Sequence, residues 1–137
     1  MNDPLKPLPG YALRRASSAM LADLSARLAP LDLRTTEASI LVLIEANDGI
    51  KQSELCKILD IQRANMTPII ARLEARLLIT RTAVDGRSQG LTLSISGQNV
   101  VLQIKDAMTA HEAYLVARIP AEHLGHFLPA LSALWNG

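Results

Sequence analysis

Near residue 81 the spacing of apolar residues changes, and this change limits the folds open to the chain more than any other feature. Before it, apolar residues recur every three to four positions. From Arg81 the spacing drops to two, with Leu91, Leu93 and Ile95 alternating with Thr92 and Ser94, and after Ser96 helical spacing returns. The intervening Asp85-Gly86-Arg87-Ser88-Gln89-Gly90 is dense in turn residues, so the segment reads as a β-hairpin with a basic tip set between helices. The expected fold class is mainly α with a small β-hairpin.

The helical stretches can be read one by one. Leu13, Met20, Leu21, Leu24, Leu28 and Leu31 form a stripe interrupted by Pro30, which predicts a first helix over residues 11–29. Thr35 is a good N-cap for a second helix carrying Ile40, Leu41, Leu43 and Ile44, stopped by Asn47-Asp48-Gly49. This helix is apolar on several sides and belongs in the middle of the fold. A short third helix is expected from Gln52 to Leu59, ending at Asp60. In the fourth, Ile69, Ile70, Leu73 and Leu77 mark one face while Gln62, Arg63, Asn65, Thr67, Arg72 and Arg76 supply polar groups elsewhere. Pro68 leaves two readings open: a helix from Gln62 that loses a hydrogen bond at Ala64, or a regular helix that starts at Asn65. After the hairpin, Ser94 or Ser96 caps a long helix through Ile119, broken by Pro120. A last helix carries Leu124, Phe127, Leu128, Leu131, Leu134 and Trp135.

Composition narrows the classes. A chain of 137 residues that is 49% hydrophobic fits one domain with ample core, and with 3% aromatics that core must be aliphatic. No apolar run is long enough to cross a bilayer, and the start lacks the order of a signal peptide, so a cytoplasmic, nucleoid-associated protein is expected. The single cysteine, Cys56, cannot form an internal disulfide; beside Leu55 and Leu59 it reads as a buried, inert thiol. Glycine-rich phosphate loops, Gly-x-Ser-x-Gly and His-Glu-x-x-His are absent, which argues against an enzyme, and no cofactor is expected. His123 and His126, one turn apart beside Glu122, fall short of a metal site, so no metal is expected either. Formal net charge is only +1, yet residues 51–90 hold seven basic side chains against four acidic ones. One face is therefore biased toward phosphates.

A short helix turned into a second, then a hairpin with a basic tip, is the order of a winged helix-turn-helix. The stretch from Leu73 to Arg81 resembles the end of the recognition helix and the first wing strand of the MarR family. Asp85-Gly86-Arg87 followed by Leu93-Ser94-Ile95-Ser96-Gly97 resembles that family's wing signature. The chain departs from the family pattern at Leu77, where glycine is usual, and at Lys51 and Gln62, where small hydroxyl caps are common. The resemblance implies a single domain over 1–137, with a winged helix-turn-helix DNA-binding lobe at 33–95 and dimerisation helices at 11–29 and 95–137. It also implies a homodimeric regulator, commonly a repressor, on a pseudo-palindromic double-stranded operator with half-sites about 10 bp apart. No membrane partner is expected.

Candidate DNA contacts follow. Arg87 at the wing tip is expected to reach the minor groove with Asp85 orienting it. Arg63, Asn65, Thr67 and Arg72 are candidates on the recognition helix, and Arg76 and Arg81 are expected to hold phosphate or Glu74. The ligand cleft implied by the resemblance points to Tyr11, Arg14, Arg15 and Ser18, faced by Leu43 and His111; apolar walls with an arginine suit an aromatic acid or its thioester. His111 reads equally as a satisfied core histidine. The competing readings are a winged-helix module that binds protein but not DNA, and a regulator whose signal is a metal or an oxidant.

Overall fold

The computed structural model describes residues 1–136. Six α-helices and one hairpin run in the order α1 (Pro9–Leu28), α2 (Thr35–Ala46), α3 (Gln52–Leu59), α4 (Arg63–Ala75), β1 (Ile79–Ala83), β2 (Gln89–Leu93), α5 (Ile95–Ala117) and α6 (Leu124–Ser132). The chain is thus mainly α with a small antiparallel wing, as its apolar spacing requires.

α1 starts at Pro9, whose fixed φ suits a first helical position. Pro30 does not break the chain's course but sits in a 3₁₀ turn, Ala29–Leu31, that continues from α1 and ends at Asp32 in the left-handed region. The second helix is capped one residue earlier than expected. Arg34, not Thr35, is the N-cap, because the Glu37 carboxylate reaches back to accept the Arg34 N–H at 2.8 Å. Lys51, a weak cap by type, is served in the same way by Glu54 at 2.8 Å. Of the two readings at Pro68 the first holds: α4 runs from Arg63 with Pro68 inside it. Ala64 is exposed, so the carbonyl that Pro68 cannot serve is left to water. Ser94 caps α5, accepting the Gly97 N–H at 3.0 Å. The last helix ends at Ser132, short of Leu134 and Trp135.

β1 and β2 pair from Ile79 opposite Leu93 to Ala83 opposite Gln89. Ile50 adds a bridge to Leu91, with the Leu91 N–H on the Ile50 carbonyl at 2.8 Å and the Gly49 N–H on the Leu91 carbonyl at 3.0 Å. This bridge fastens the wing to the joint between α2 and α3.

The core is aliphatic and centred on α2, whose Ile40, Leu41 and Ile44 are fully buried. Leu55 of α3, Met66, Ile70 and Leu73 of α4, Leu91 of β2, and Val101 and Ile104 of α5 pack around it, with Leu28, Leu33, Ile50, Leu78 and Ile79 at its margins. The outer helices contribute little. α1, 20 residues long, buries only Leu28, and α6 buries none.

Candidate nucleic-acid interface

α3 stops because Asp60 turns left-handed at φ 52°, and the Ile61 N–H then closes on the Cys56 carbonyl at 3.0 Å. The chain re-enters a helix within three residues, and the helix-turn-helix follows from that geometry. Thr67 ties the two helices together. Its hydroxyl donates to the Arg63 carbonyl at 3.0 Å and accepts from Gln52 Nε2 at 2.9 Å. Arg63 and Asn65 are exposed, and among the described residues their side chains engage no protein partner.

Across from them stands the wing. Asp85 Oδ1 accepts the N–H groups of Arg87 at 3.1 Å and Ser88 at 2.8 Å, an Asx turn that shapes the tip. Those two backbone donors hold the Asp85 carboxyl below the ordinary aspartate value. Asp85 therefore acts on Arg87 through the main chain. The Arg87 guanidinium itself is exposed, without a protein partner among the described residues.

Between wing and helices lies an open cleft of about 810 Å³, walled by Lys51, Gln52, Cys56 and Lys57 of the α3 region, Arg63 of α4, and Arg81, Asp85 and Arg87 of the wing. Lys51 reaches toward Asp85, 3.5 Å away. Five cations thus line one concavity, the arrangement a phosphate backbone requires. Lys51 and Lys57 contributed to the basic excess in the sequence, but no periodicity placed them opposite Arg87. Cys56 is not the buried thiol expected. It is half-buried on the wall of this cleft, because its helix turns that side toward the wing.

Arg72, Arg76 and, on the cleft wall itself, Arg81 are each engaged by a protein partner. Arg72 Nε lies 3.3 Å from Glu37 Oε2, Arg76 donates to the Leu31 and Asp32 carbonyls, and Arg81 makes a two-pronged contact with Glu74 Oε1 at 2.9 and 3.1 Å. The candidate ligand residues sit on three helices, α1, α2 and α5. Arg14, Arg15 and Ser18 are exposed along α1, Arg15 Nη1 donates to the Tyr11 hydroxyl at 3.0 Å, and Leu43 packs half-buried against the core. None of these residues, nor His111, lines the cationic cleft or a second cleft of about 470 Å³ beside Glu45, Asp48 and Asn99.

His111 is buried, with Nδ1 2.8 Å from Asp23 Oδ2, so its polar edge is satisfied from α1. Asp23 also accepts from Arg27 Nε at 2.8 Å; the Arg27 and His111 contacts together hold its carboxyl below the ordinary value. At the far end of the chain, His123 Nδ1 and His126 Nε2 lie 3.4 Å apart, with Glu122 3.8 Å from the first ring. Among the described residues no group of three or more such side chains is placed to hold a metal, and no helix is long and apolar enough to cross a membrane.

Comparison with known proteins agrees with this geometry. Residues 33–88, the stretch from the loop before α2 to the wing tip, match the MarR family. The transcriptional repressor CouR bound to a 23-mer DNA duplex is 32% identical, with 95% of this chain and 94% of that one covered and a TM-score of 0.86. CouR bound to p-coumaroyl-CoA is 31% identical, over 98% and 96%, with a TM-score of 0.87. The repressor Rv2887 of Mycobacterium tuberculosis is 27% identical over 127 residues, 91% of both chains. Its complex with salicylic acid matches over 97% of each chain with a TM-score of 0.71. Likeness of this extent, above 30% identity to CouR across nearly the whole of both chains, means that the protein belongs to the MarR family of DNA-binding, winged helix-turn-helix transcriptional regulators.

Proposed function

We propose that this regulator is a repressor that binds a pseudo-palindromic operator as a homodimer and releases it when a small aromatic acid or its thioester binds. The observation that carries the DNA half of this reading is the five-cation cleft between wing and helices, whose Arg63 and Arg87, like the exposed Asn65 on α4, engage no protein partner through their side chains among the described residues. Arg63, Asn65 and Thr67 enter the major groove, Arg87 reaches the flanking minor groove, and Asp85 holds the wing tip in shape. Lys51 and Lys57 hold phosphate.

The dimer half rests on the outer helices. Leu8, Leu13, Leu21, Leu124, Leu128, Leu134 and Trp135 are exposed in the single chain, more apolar surface than a monomer ordinarily leaves in water. The ligand half is supported by the relatives crystallised with p-coumaroyl-CoA and salicylic acid. For this chain the proposed contacts of the acid are Tyr11, Arg14, Arg15 and Ser18 of α1, with Leu43 of α2 and His111 of α5. A ligand there lowers operator affinity only by preferring a lobe spacing that the operator does not fit.

Fluorescence anisotropy on a duplex from the gene's own upstream region, against a scrambled duplex and across a salt series, tests the reading. Specific binding that falls steeply with salt, weakens in Arg87→Ala, and declines on adding p-coumaroyl-CoA or salicylate is expected. Equal, feeble binding to both duplexes would favour a module that binds protein through the same fold. Specific binding unmoved by either compound, with no heat on calorimetric titration, would remove the aromatic-acid assignment and leave the repressor.

A further inference from the structure

We infer that Glu37, Arg72 and Arg76 form a positioning clamp that sets the angle of the recognition helix against the end of α1, and so governs sequence discrimination rather than grip on phosphate. The inference rests on the DNA-binding reading above, but it concerns residues that do not face the cleft.

Glu37 is 2% exposed. Its Oε1 is engaged by the Arg34 N–H at 2.8 Å, while Oε2 is buried and, among the described residues, has no hydrogen bond and only Arg72 Nε, at 3.3 Å, as a charged neighbour. A carboxylate removed from water needs a compensating charge, so α4 is held where Arg72 can supply it. Four residues on, and hence on the same side of the helix, Arg76 donates from Nη1 to the Asp32 carbonyl at 2.6 Å and from Nη2 to the Leu31 carbonyl at 3.1 Å. These carbonyls end the 3₁₀ turn that continues from α1, where the negative end of the helix dipole favours a cation.

The two arginines therefore grip two separate supports: the first turn of α2 and the last turn of the α1 segment. Arg72 lies in the last turn of α4 and Arg76 is its C-cap, while the exposed Arg63, Asn65 and Thr67 occupy its start. A helix fixed at one end by an ion pair and a two-pronged guanidinium contact has little freedom at the other. The angle at which Arg63 and Asn65 meet base edges is then set by contacts that never touch DNA. The support used by Arg76 is the 3₁₀ turn that continues from α1, so the reading helix is tied to the layer proposed for dimerisation and not only to its own lobe.

A salt series separates positioning from phosphate contact. Each phosphate contact removed lowers the slope of log affinity against log salt by about 0.9 and weakens all duplexes alike. Glu37→Gln, Arg72→Gln and Arg76→Met are each expected to lower affinity for the upstream duplex about tenfold while leaving scrambled-duplex affinity and salt slope unchanged. In the Glu37→Gln, Arg72→Gln double variant the second change should add little, since both remove one contact. Arg76→Lys should recover part of the loss.

A slope reduced by about one unit per arginine, with equal weakening on both duplexes, would overturn the clamp in favour of phosphate contact. So would variants that melt earlier yet discriminate as well as the parent below their melting temperature. If Glu37→Gln does not fold, Arg76→Met reports on the clamp from a partly exposed position. A parent protein that treats both duplexes alike overturns the clamp together with the DNA reading; a discriminating parent with equally discriminating variants overturns the clamp alone.

Discussion

Leu77 carries the clearest tension between residue type and backbone. It joins α4 to β1 at φ 59°, a left-handed conformation that crowds a branched side chain, and it is 73% exposed, so no packing offsets the cost. Glycine is usual there in the family it resembles, and the backbone shows why. Leu77→Gly is expected to raise stability by about 1 kcal/mol in urea unfolding at fixed protein concentration; an unchanged or lower midpoint would mean that Leu77 makes compensating contacts. Asp85 makes the opposite case, a residue suited to its turn. Its folded pKa is depressed by two backbone donors, so its contribution to the wing is complete above the unfolded value and is lost as pH falls through the folded one. Amide signals of Arg87 and Ser88 should therefore titrate with a midpoint below that of a free aspartate. A midpoint at or above it would contradict the Asx turn.

At the scale of elements, the seam between wing and α5 depends on two small residues. Ser94 accepts the Gly97 N–H and donates to the Leu77 carbonyl at 2.6 Å, so one hydroxyl caps α5 and closes the strained turn. Gly97 lies so close to the Leu78 carbonyl that a Cβ would overlap backbone atoms, which cannot swing aside as a side-chain end does. Ser94→Ala should cost about 1 kcal/mol, and Gly97→Ala about 2 kcal/mol or more, both read from urea midpoints. A milder Gly97→Ala would show that α5 can slide away from the wing. The serine and glycine of the wing signature are thus packing requirements of a helix laid against a two-stranded sheet, and the sequence showed the pattern without the contact behind it.

For the whole molecule, the decisive feature is how little the outer helices bury. A 20-residue helix that packs on α5 yet buries one leucine leaves most of its apolar face for another surface to cover. Leu21→Glu combined with Leu128→Glu is expected to yield monomers in analytical ultracentrifugation and to weaken binding to a full operator toward that of a half-site. A parent chain monomeric at micromolar concentration would set the dimer aside. The seam of α1 with α5 is itself polar at one point, where Asp23 meets His111 and Arg27. Because the Asp23 pKa is depressed in the fold, that contribution is present above the unfolded aspartate value and fades as acid protonates the carboxylate.

Local pattern alone determined the element order, the hairpin with its basic tip, the start and end of α3, and Arg87 as an exposed cation at the wing. Each of these follows from residue period, turn chemistry and capping, which act over a few positions. The sequence also narrowed α4 to two possible starts and α5 to two possible caps. The structure chooses Arg63 and Ser94, and Ser94 is also held from outside its helix, through the Leu77 carbonyl. Tertiary contact decided that Lys51 and Lys57 share a cleft with Arg87, that Ile50 bridges the wing, and that His111 is answered by Asp23 from 88 residues away. Above all it decided which arginines are free. Arg63 and Arg72 look alike in the chain, but Arg72 lies beside the buried carboxylate of Glu37, a pairing set by how α2 and α4 cross and written in no local period.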